Sequence, residues 1–437
     1  MGGGKRPAEA LPPPYKPRLI PPGSTSGWPG ADPAACRFPF GTSYMPAGAT
    51  PKLPFSIAVY SCFGGWIFSA FRLNLHSFFT HMAKQILITG GAGFVGSTLC
   101  LYLRSRYPGY RVLAFDNLRR RGSELNINRL REAGVEFVHG DIRNPEDLLG
   151  LGDLDVIIDA SADPSVLSGI NSPIMPLINS NLMGTINALE LADRCKAQFI
   201  FLSTSRIYPI AALEQANWEE LDTRFRWTDS QSIAGISSKG ITEAFPLEGS
   251  RSFYGASKLA SEYLITEYHA LKCMKTVINR CGVISGPWQM GKVDQGVLVL
   301  WLARHYFKES LSYIGYGGTG KQMRDVMHAA DLARLIDMQI HEPDLYNGQI
   351  LNVGGGDEVS FSLQELTALC EEVTGNRIPI RAVTENRVAD IRIYVSDCSK
   401  LHALSGWKPE KDMKTLVSET FDWIKNNEQQ LKAVLSS

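Results

Sequence analysis

Residues 85–96, QILITGGAGFVG, decide the fold of this chain. A run of apolar and β-branched residues ends in a G-x-x-G-x-x-G turn formed by Gly90, Gly93 and Gly96, and a helical pattern follows at once. Gly90 allows the tight turn, Gly93 lets the backbone approach a pyrophosphate, and Gly96 lets the helix pack close to the sheet. The N-terminus of the helix would face the anion. The stretch therefore predicts a dinucleotide-binding site.

An acidic residue closes the second predicted strand, RVLAFD (111–116). Asp116 follows Gly96 by 20 residues, which is the spacing at which a carboxylate binds the adenosine ribose. Because this carboxylate would repel a 2′-phosphate, NAD is expected as the cofactor rather than NADP. The arginines at 119–121 could hold a 2′-phosphate, but we favour a solvated loop as their interpretation.

Strand and helix patterns alternate from Lys84 onward, as they do in a parallel sheet with crossover helices. Most of the strands are apolar almost throughout, which is typical of strands covered on both faces. We therefore predict an α/β Rossmann fold with a doubly wound parallel sheet. The predicted strands are 85–90, 111–116, 135–140, 155–160, 198–204, 275–281 and 349–355. The predicted helices are 94–106, 178–195, 254–272 and 329–341.

These elements divide the chain into a nucleotide-binding domain and a smaller lobe. Residues 83–285 are predicted to form the NAD-binding Rossmann domain, with 323–356 contributing its last helix and strand. Beyond it the pattern loosens into Pro, Gly and polar turns, and the tail from Ser360 is predicted as helix, strand, helix. The smaller, discontinuous C-terminal substrate-binding lobe is assigned to 286–322 and 357–434, with 209–248 also covering the substrate.

Composition excludes some classes of function. The 437 residues carry 44 basic and 44 acidic side chains, a net charge of zero, whereas nucleic-acid binding depends on accumulated Lys and Arg. No nucleic-acid partner is therefore expected. The eight cysteines show no C-x-x-C pair and no Cys/His ligand spacing, so we predict no metal site and no disulfide framework.

The first 82 residues differ from the rest of the chain. Thirteen of the 24 prolines lie in the first 54 residues, which predicts an extended Pro-rich segment without a core. The 19 uncharged residues 53–71 could be a membrane anchor or signal segment, since about 20 apolar residues span a bilayer. We favour an extension outside the fold, because Met82 directly precedes the first strand, and we expect a cytoplasmic enzyme without a membrane partner.

A second motif, Tyr254-Gly-Ala-Ser-Lys258, lies on the third predicted helix. The spacing of four places Tyr254 and Lys258 on one helical face. A free tyrosine, with a pKa of about 10, is a poor base near neutrality, but a neighbouring ammonium and a cationic nicotinamide favour the phenolate. The fifth strand ends at Thr204, whose hydroxyl could share the proton between a substrate alcohol and Tyr254.

With these motifs the chain resembles the extended short-chain dehydrogenase/reductase family, the sugar-nucleotide epimerases and dehydratases, over roughly residues 83–430. The matching stretches are TGGAGFVG (89–96), Asp116-Asn117, HGDIR (139–143), the N-x-x-G-T-x-N of 181–187, Ser203-Thr204, YGASK (254–258) and GKQMRDVMHAADL (320–332).

The resemblance implies roles for individual residues. It implies that Thr204, Tyr254 and Lys258 carry the proton and hydride chemistry. It implies that Arg324 binds a nucleotide diphosphate, with Thr204, Gln295 and Arg392 also at the substrate. The cofactor residues expected from motif and resemblance together are Gly90, Gly93, Phe94, Val95, Gly96, Asp116, Asn117, Asp141, Ile142, Ala160, Ser161, Ala162, Asn181, Tyr254 and Lys258.

Within the family, the chain resembles most the CDP-paratose 2-epimerases, also called CDP-tyvelose epimerases. FDNLRRRGSELN (115–126), the segment 294–296, GKQMRDVMH and the stretch 387–392 look like their counterparts. Two departures concern the sugar pocket. Pro209 follows Tyr208 where the family usually has glycine, and the segment from Arg280 to Val283 lacks the common asparagine.

One substitution bears on the reaction type. The dehydratases and decarboxylating synthases of the family carry an acid two places after the catalytic threonine, and this chain has Arg206 there. An arginine cannot act as a general acid or base near neutral pH, so an NAD-dependent epimerase of nucleotide-diphosphate sugars is expected. A UDP- or dTDP-sugar 4-epimerase or reductase remains the alternative, and a non-catalytic NAD-binding scaffold is a third hypothesis. A homodimer or higher homo-oligomer is expected by resemblance, through helices 178–195 and 254–272.

Overall fold

The computed structural model describes residues 83–291 and 295–435, the last three without their side chains. The Pro-rich segment 1–82, the apolar stretch within it and Asp294 lie outside the described residues, so the expectations placed on them stay predictions. Among the described helices, none combines the length and the apolar character that crossing a membrane requires.

The strands alternate with helices along most of the chain. They are β1 Gln85–Thr89, β2 Arg111–Asp116, β3 Glu136–His139, β4 Val156–Asp159, β5 Gln198–Thr204, β6 Trp218–Glu220, β7 Phe225–Trp227, β8 Ile236–Ser237, β9 Gly240–Ile241, β10 Thr276–Cys281, β11 Val283–Ser285, β12 Leu311–Ile314, β13 Met323–His328, β14 Gln349–Val353, β15 Ser360–Ser362, β16 Ile380–Val383 and β17 Ile393–Tyr394.

The helices are α1 Phe94–Arg106, α2 Asn126–Glu132, α3 Pro145–Leu149, α4 Met175–Ile178, α5 Gly184–Cys195, α6 Ile210–Gln215, α7 Phe253–Lys272, α8 Val297–Phe307, α9 Ala329–His341, α10 Pro343–Tyr346, α11 Leu363–Thr374, α12 Ser399–Ser405, α13 Met413–Asn426 and α14 Glu428–Leu435. A π-helical turn at Asn179–Met183 joins α4 to α5, so one continuous helix runs from Met175 to Cys195.

Seven of the strands form a parallel sheet in the order β14-β10-β5-β4-β1-β2-β3. The chain winds outward from β1 through β2 to β3, then crosses to β4 and winds the other way. This reversal leaves the carboxyl ends of β1 and β4 side by side, with Thr89 in register with Asp159. Open α/β sheets bind their ligands at such a point. The predicted doubly wound Rossmann fold is confirmed.

Each face of the sheet is covered by a pair of helices. Successive side chains of a strand point to opposite faces: Ile86 and Ile88 pack in one core with Leu99 of α1 and Ile336 of α9, while Leu87 packs in the other core. That second core includes residues of α5 and α7. This burial on both faces explains why the strands are apolar throughout and why all seven were predictable.

The region after residue 285 contains a helix that the sequence pattern did not predict. Helix α8 lies where we expected Pro, Gly and polar turns. Its sequence VLVLWLARHYF is buried on nearly every side, among α11 and α13, so it lacks the one-sided periodicity by which surface helices are recognised. The tail from Ser360 also differs from the predicted helix, strand, helix. It begins with strand β15 and continues through α11, β16, β17 and three further helices.

Segments 286–322 and 357–434 share an apolar core built by α8, α11 and α13. A sheet in which β13 pairs with β11, β15 and β17 lies beside it. Residues 209–248 add helix α6 and two short antiparallel hairpins. The assignment of these segments to a separate substrate-binding lobe stays a prediction.

Replacing Leu302 in α8 by alanine tests the importance of this buried helix. Leu302 has no exposed surface, so Leu302→Ala should lower the free energy of unfolding by about 2 to 5 kcal/mol through lost transfer energy and a cavity. Urea unfolding measures the change. Leu149→Ala is the matched control, because 64% of Leu149 is exposed and its loss should cost less than about 0.5 kcal/mol. Equal effects of the two variants would contradict this account of α8.

Candidate active site

A cleft of about 640 Å³ opens at the carboxyl edge of the parallel sheet. It lies over the ends of β1, β2, β4, β5 and β10, where the strand order reverses. Thirteen of the fifteen expected cofactor residues line it: Gly90, Gly93, Phe94, Val95, Gly96, Asp116, Asn117, Asp141, Ile142, Ala160, Ser161, Ala162 and Tyr254. The structure thus brings together residues that are spread over 165 positions of the sequence (90 to 254).

The glycine turn gives the cleft a floor without side chains. Gly90 has a φ of +64°, which glycine adopts without strain. A Cβ on Gly96 would come within 2.1 Å of the Gly90 carbonyl oxygen, so any side chain there would push helix α1 off the turn. No side chain caps α1 at Gly93. The first N–H groups of α1 therefore remain available for an anion.

Gly91 lies at a position that the G-x-x-G-x-x-G pattern leaves unspecified, yet it constrains the turn. A Cβ on Gly91 would lie 2.5 Å from the Cα atom of Ala114 in β2. The turn therefore packs directly on the neighbouring strand. The second glycine of the pair in the sequence was a visible signal for this contact.

Asp159 holds this turn to the rest of the site. Its side chain has no exposed surface, and it accepts hydrogen bonds from the hydroxyls of Thr89 at 2.7 Å, Ser161 at 2.8 Å and Thr185 at 2.7 Å. These donors come from β1, the loop after β4 and α5. No motif spacing marks Asp159 in the sequence, although an acid at the end of an apolar strand is a signal for a special role.

The side of the cleft expected to hold adenosine is lined by carboxylates. Asp116 accepts hydrogen bonds from the backbone N–H groups of Leu118 at 2.7 Å and Ala92 at 3.1 Å. Burial raises its pKa, and these N–H groups oppose the rise. Each carboxylate oxygen has more than one acceptor site, so Asp116 can still accept from a ribose hydroxyl.

Asp141 is already an ion at this side of the cleft. Arg143 donates from Nε at 2.8 Å, and Asn117 donates from Nδ2 at 3.0 Å. The hydrogen bonds from Arg143, more than any other cause, hold the pKa of Asp141 far below its usual range. Asn117 therefore orients the Asp141 loop as well as lining the cleft.

Asn181 lies beneath the cleft and does not line it. It has no exposed surface, and its side chain accepts from the N–H of Asp163 at 2.7 Å and donates to the carbonyl of Asp163 at 3.1 Å. A further hydrogen bond joins it to Ser257 of α7 at 3.2 Å. In the structure Asn181 supports the loop after Ala162, and a direct cofactor contact stays a prediction.

Thr204 and Tyr254 both line the cleft. Thr204 ends β5, and its hydroxyl accepts from the N–H of Arg206 at 3.2 Å. Burial raises the pKa of Tyr254 to about 12, while Thr204 and Arg206 lower it in part. A neighbouring Lys258 ammonium alone would lower the pKa of Tyr254. The pKa is raised instead, because desolvation of the phenol outweighs the charges around it.

Lys258 lies one helical turn below Tyr254 and is almost fully buried, at 2% exposure. Its ammonium nitrogen is 4.0 Å from the centre of the Phe201 ring. Burial lowers the pKa of Lys258, and the negative charge of Asp159 opposes this.

A buried ion pair lies behind these residues. Glu262 of α7 accepts from Arg280 of β10 at 2.8 Å and also from the hydroxyl of Ser203. Arg280 donates in addition to the hydroxyl of Tyr208 at 3.3 Å, and Tyr208 donates to Asn352 at 2.7 Å. Arg280 and Tyr208, which lie at the two family departures, thus form one network that fixes the end of β5. The sequence offered no spacing that would pair Glu262 with Arg280.

A second cavity of about 400 Å³ adjoins the cleft and shares Arg206 and Gln295 with it. Arg324 lines this cavity, donating to Asp390 at 2.8 Å and to the carbonyl of Ile391 at 2.7 Å. The amide oxygen of Gln295 accepts from Arg120. Gln295 and Arg324, which were expected at the substrate together with Thr204, therefore lie where a substrate could reach them.

Arg392 lies outside both cavities as the structure places it. Its guanidinium is 4.1 Å from the ring centre of Trp218, 4.8 Å from that of Tyr316 and 5.1 Å from that of Phe225. Glu214 lies 3.7 Å away. These contacts join the segment 209–248 to the strand β17. The side chain is engaged in packing in this structure, and its role at the substrate stays a prediction.

Comparison with known proteins agrees with this geometry. The profile of the NAD dependent epimerase/dehydratase family matches residues 86–354. The CDP-paratose 2-epimerase of Salmonella typhi is 31% identical over 358 residues, covering 78% of this chain and 98% of that protein. The chain belongs to this family. Its cofactor is NAD.

Two further relatives show the breadth of the family. A dTDP-glucose 4,6-dehydratase of an Actinoplanes species is 28% identical, covering 78% of this chain and 98% of that protein. The crystal structure of UDP-glucuronic acid 4-epimerase from Bacillus cereus superimposes with a TM-score of 0.66 at 24% identity, covering 78% of this chain and 99% of that one. At this identity the superposition is evidence for the fold alone.

The residues present fit NAD. The side-chain-free turn at Gly90 to Gly96 suits a pyrophosphate, since a larger residue at Gly96 would meet backbone atoms. We propose that this turn and the first N–H groups of α1 hold the pyrophosphate and that Asp116 holds the adenosine ribose.

Replacing Asp116 tests the ribose assignment. Asp116→Ala should weaken NAD binding by roughly 1.5 to 3 kcal/mol through a lost charged hydrogen bond, and it should narrow the preference for NAD over NADP. Titration calorimetry with both dinucleotides measures the two effects. Asp153→Ala, at an exposed position, is the matched control. Unchanged NAD affinity in the Asp116 variant would show that the ribose lies elsewhere.

Proposed function

We propose that this protein is an NAD-dependent nucleotide-sugar epimerase with a reaction like that of CDP-paratose 2-epimerase. The observation that supports epimerisation over dehydration is Arg206, which lines the cleft beside Thr204 and Tyr254. Burial lowers the pKa of Arg206 only to about 10, so it stays protonated near neutral pH and cannot transfer a proton in a dehydration. Epimerisation requires no proton carrier at this position.

The chain's own residues supply the proton steps. Tyr254 as phenolate would accept the proton of the sugar hydroxyl, and Thr204 would hold that hydroxyl in line. Because burial alone keeps the phenol protonated, the positive charges around it, including Lys258 and Arg206, are needed for this step. Bound NAD supplies the acceptor and then the donor of the hydride. The ketosugar would then rotate so that the other face of the oxidised carbon points to the cofactor. The hydride would return to that face, and Tyr254 would return the proton to the oxygen.

A panel of nucleotide sugars tests the proposal. The purified protein would be incubated with CDP-, UDP-, GDP- and dTDP-sugars, with and without added NAD, and the products identified by NMR. We expect an epimer of a CDP-sugar with no net change in NAD. Turnover of a UDP- or dTDP-sugar at C4 would support the 4-epimerase or reductase instead. A 4-keto-6-deoxy product would show a dehydratase, and no turnover of any sugar would leave an NAD-binding scaffold.

The hydroxyl group of Tyr254 can be removed while its aromatic ring is kept. Tyr254→Phe should leave the fold and NAD binding intact, while turnover falls roughly a hundredfold or more because the proton acceptor is missing. Steady-state rates and NAD titration on the same preparation separate the two effects. Tyr263→Phe, on the same helix with 59% of the residue exposed, is the control. Parental turnover in Tyr254→Phe would mean that another group is the base.

We also propose that the protein is a homodimer that pairs the helix Met175–Cys195 and helix α7 with their copies. Both helices expose large apolar side chains: 56% of Met175, 59% of Tyr263 and 77% of Leu271 are accessible. Exposed large apolar side chains of this kind are typical of subunit interfaces.

The oligomeric state can be measured by light scattering after gel filtration. We expect a dimer for the parent protein and a monomer for Tyr263→Glu, because a carboxylate in the centre of the interface would be buried without a partner. Leu149→Glu, exposed on α3, should remain a dimer. A monomeric parent would exclude this interface.

A further inference from the structure

Arg206 lies where the cofactor cleft and the second cavity meet, and it lines both. Its N–H donates to the hydroxyl of Thr204 at 3.2 Å. Its carbonyl packs on Gly255, where a Cβ would lie only 2.0 Å from the oxygen. The backbone of Arg206 is therefore fixed between Thr204 and the residue that follows Tyr254, so its side chain begins from a defined point beside the proposed proton-transfer pair.

The side chain of Arg206 extends from this point toward residues 387–391. Its Nη1 donates to the carbonyl of Ala389 at 3.3 Å. Within residues 83–291 and 295–435, no carboxylate forms an ion pair with it, because the nearby Asp390 pairs with Arg324. Asp390 is thus engaged by Arg324, and the guanidinium of Arg206 lines the cavity without an ion pair among the described residues.

An excess cation at a largely buried site favours an anionic ligand. Arg324 and desolvation both act against the charge of Arg206, so neutralisation by a ligand would relieve an existing electrostatic cost. In a nucleotide-diphosphate sugar, the diphosphate is the group that carries the negative charge. The junction of the two cavities is thus suited to a phosphate near Thr204.

The position of a phosphate relative to Thr204 depends on which carbon reacts. The reacting hydroxyl must lie at Thr204 and Tyr254. Carbon 2 of the sugar is three bonds from the β-phosphorus, through carbon 1 and the glycosidic oxygen. Carbon 4 is five bonds away, across the ring. A cation that starts two residues from Thr204 is therefore better placed to reach the β-phosphate when carbon 2 reacts.

We propose that Arg206 binds the β-phosphate of the substrate and thereby places carbon 2, rather than carbon 4, at Thr204 and Tyr254. This inference rests on the proposed epimerase function and names the residue that selects the carbon. Arg324 alone could hold a diphosphate in either orientation, while a second cation beside Thr204 restricts the sugar to one.

Nucleotide binding tests the phosphate contact. Calorimetry with CDP and CMP, and with UDP and UMP, would compare the parent with Arg206→Met, Arg206→Lys and the matched control Arg377→Met, whose side chain is 88% exposed. Arg206→Met should lose roughly tenfold to a hundredfold in affinity for the diphosphate that binds and little for its monophosphate. Arg206→Lys should recover much of the loss, and Arg377→Met should match the parent. An equal loss for both nucleotides, or no loss, would overturn the contact.

Isotopic substitution tests the choice of carbon. The nucleotide sugar that the parent accepts would be prepared with deuterium at carbon 2 or at carbon 4. We expect a primary isotope effect on kcat/KM for the carbon 2 label and none for the carbon 4 label. An effect at carbon 4 would overturn the inference while leaving epimerisation intact.

Two controls separate the possible failures. NAD titration and thermal unfolding report whether Arg206→Met is folded. If it is not, Arg206→Gln, which keeps a donor for the Ala389 carbonyl but not the charge, takes its place in the same comparison. If the parent binds no nucleoside diphosphate and turns over no nucleotide sugar, the proposed function itself fails, which is a result distinct from an unaffected Arg206 variant.

Discussion

The buried carboxylate of Asp159 is the constraint on which the cofactor site depends. A charged group without solvent is costly unless hydrogen bonds replace its water, and here three hydroxyls do so, from Thr89, Ser161 and Thr185. These donors belong to three different elements that meet where the sheet changes direction. Their common acceptor fixes the distance between the glycine turn and the loop after β4. Both walls of the cleft are therefore set by one interaction.

A buried ion pair constrains the catalytic side of the cleft in the same way. Glu262 and Arg280 are 2% and 4% exposed, and their ion pair also engages Ser203 and Tyr208. Removing one partner of such a pair leaves an unpaired buried charge, which is strongly destabilising. This explains how the chain can depart from the family pattern at Arg280. The arginine is matched within the same fold by a glutamate on α7 and a tyrosine beyond β5.

Much of the fold followed from local patterns, and the exceptions have physical causes. The seven parallel strands were predictable because they are buried on both faces, and α1 and α9 were predictable because each buries one stripe of side chains. Helix α8 was not predicted, because it is apolar on nearly every side. In the site, motif spacing located the residues at strand ends, since the topology brings those ends together. Spacing did not reveal the contacts that Asn181 and Arg392 make, because these are with segments distant in sequence.

The hydrogen bond between Arg120 and Gln295 bears on the rate at which a cofactor would leave the cleft. Arg120 follows β2, where the ribose is proposed to bind, and also donates to the carbonyl of Met290 at 3.3 Å, while Gln295 precedes α8. These hydrogen bonds join the loop after β2 to the segment before α8, and Arg120, Met290 and Gln295 all line the cleft. A dinucleotide bound behind both segments would leave the cleft only after they separate, so we expect its release to be slow. Slow release would suit the proposed epimerisation, in which the dinucleotide that takes the hydride must still be present to return it.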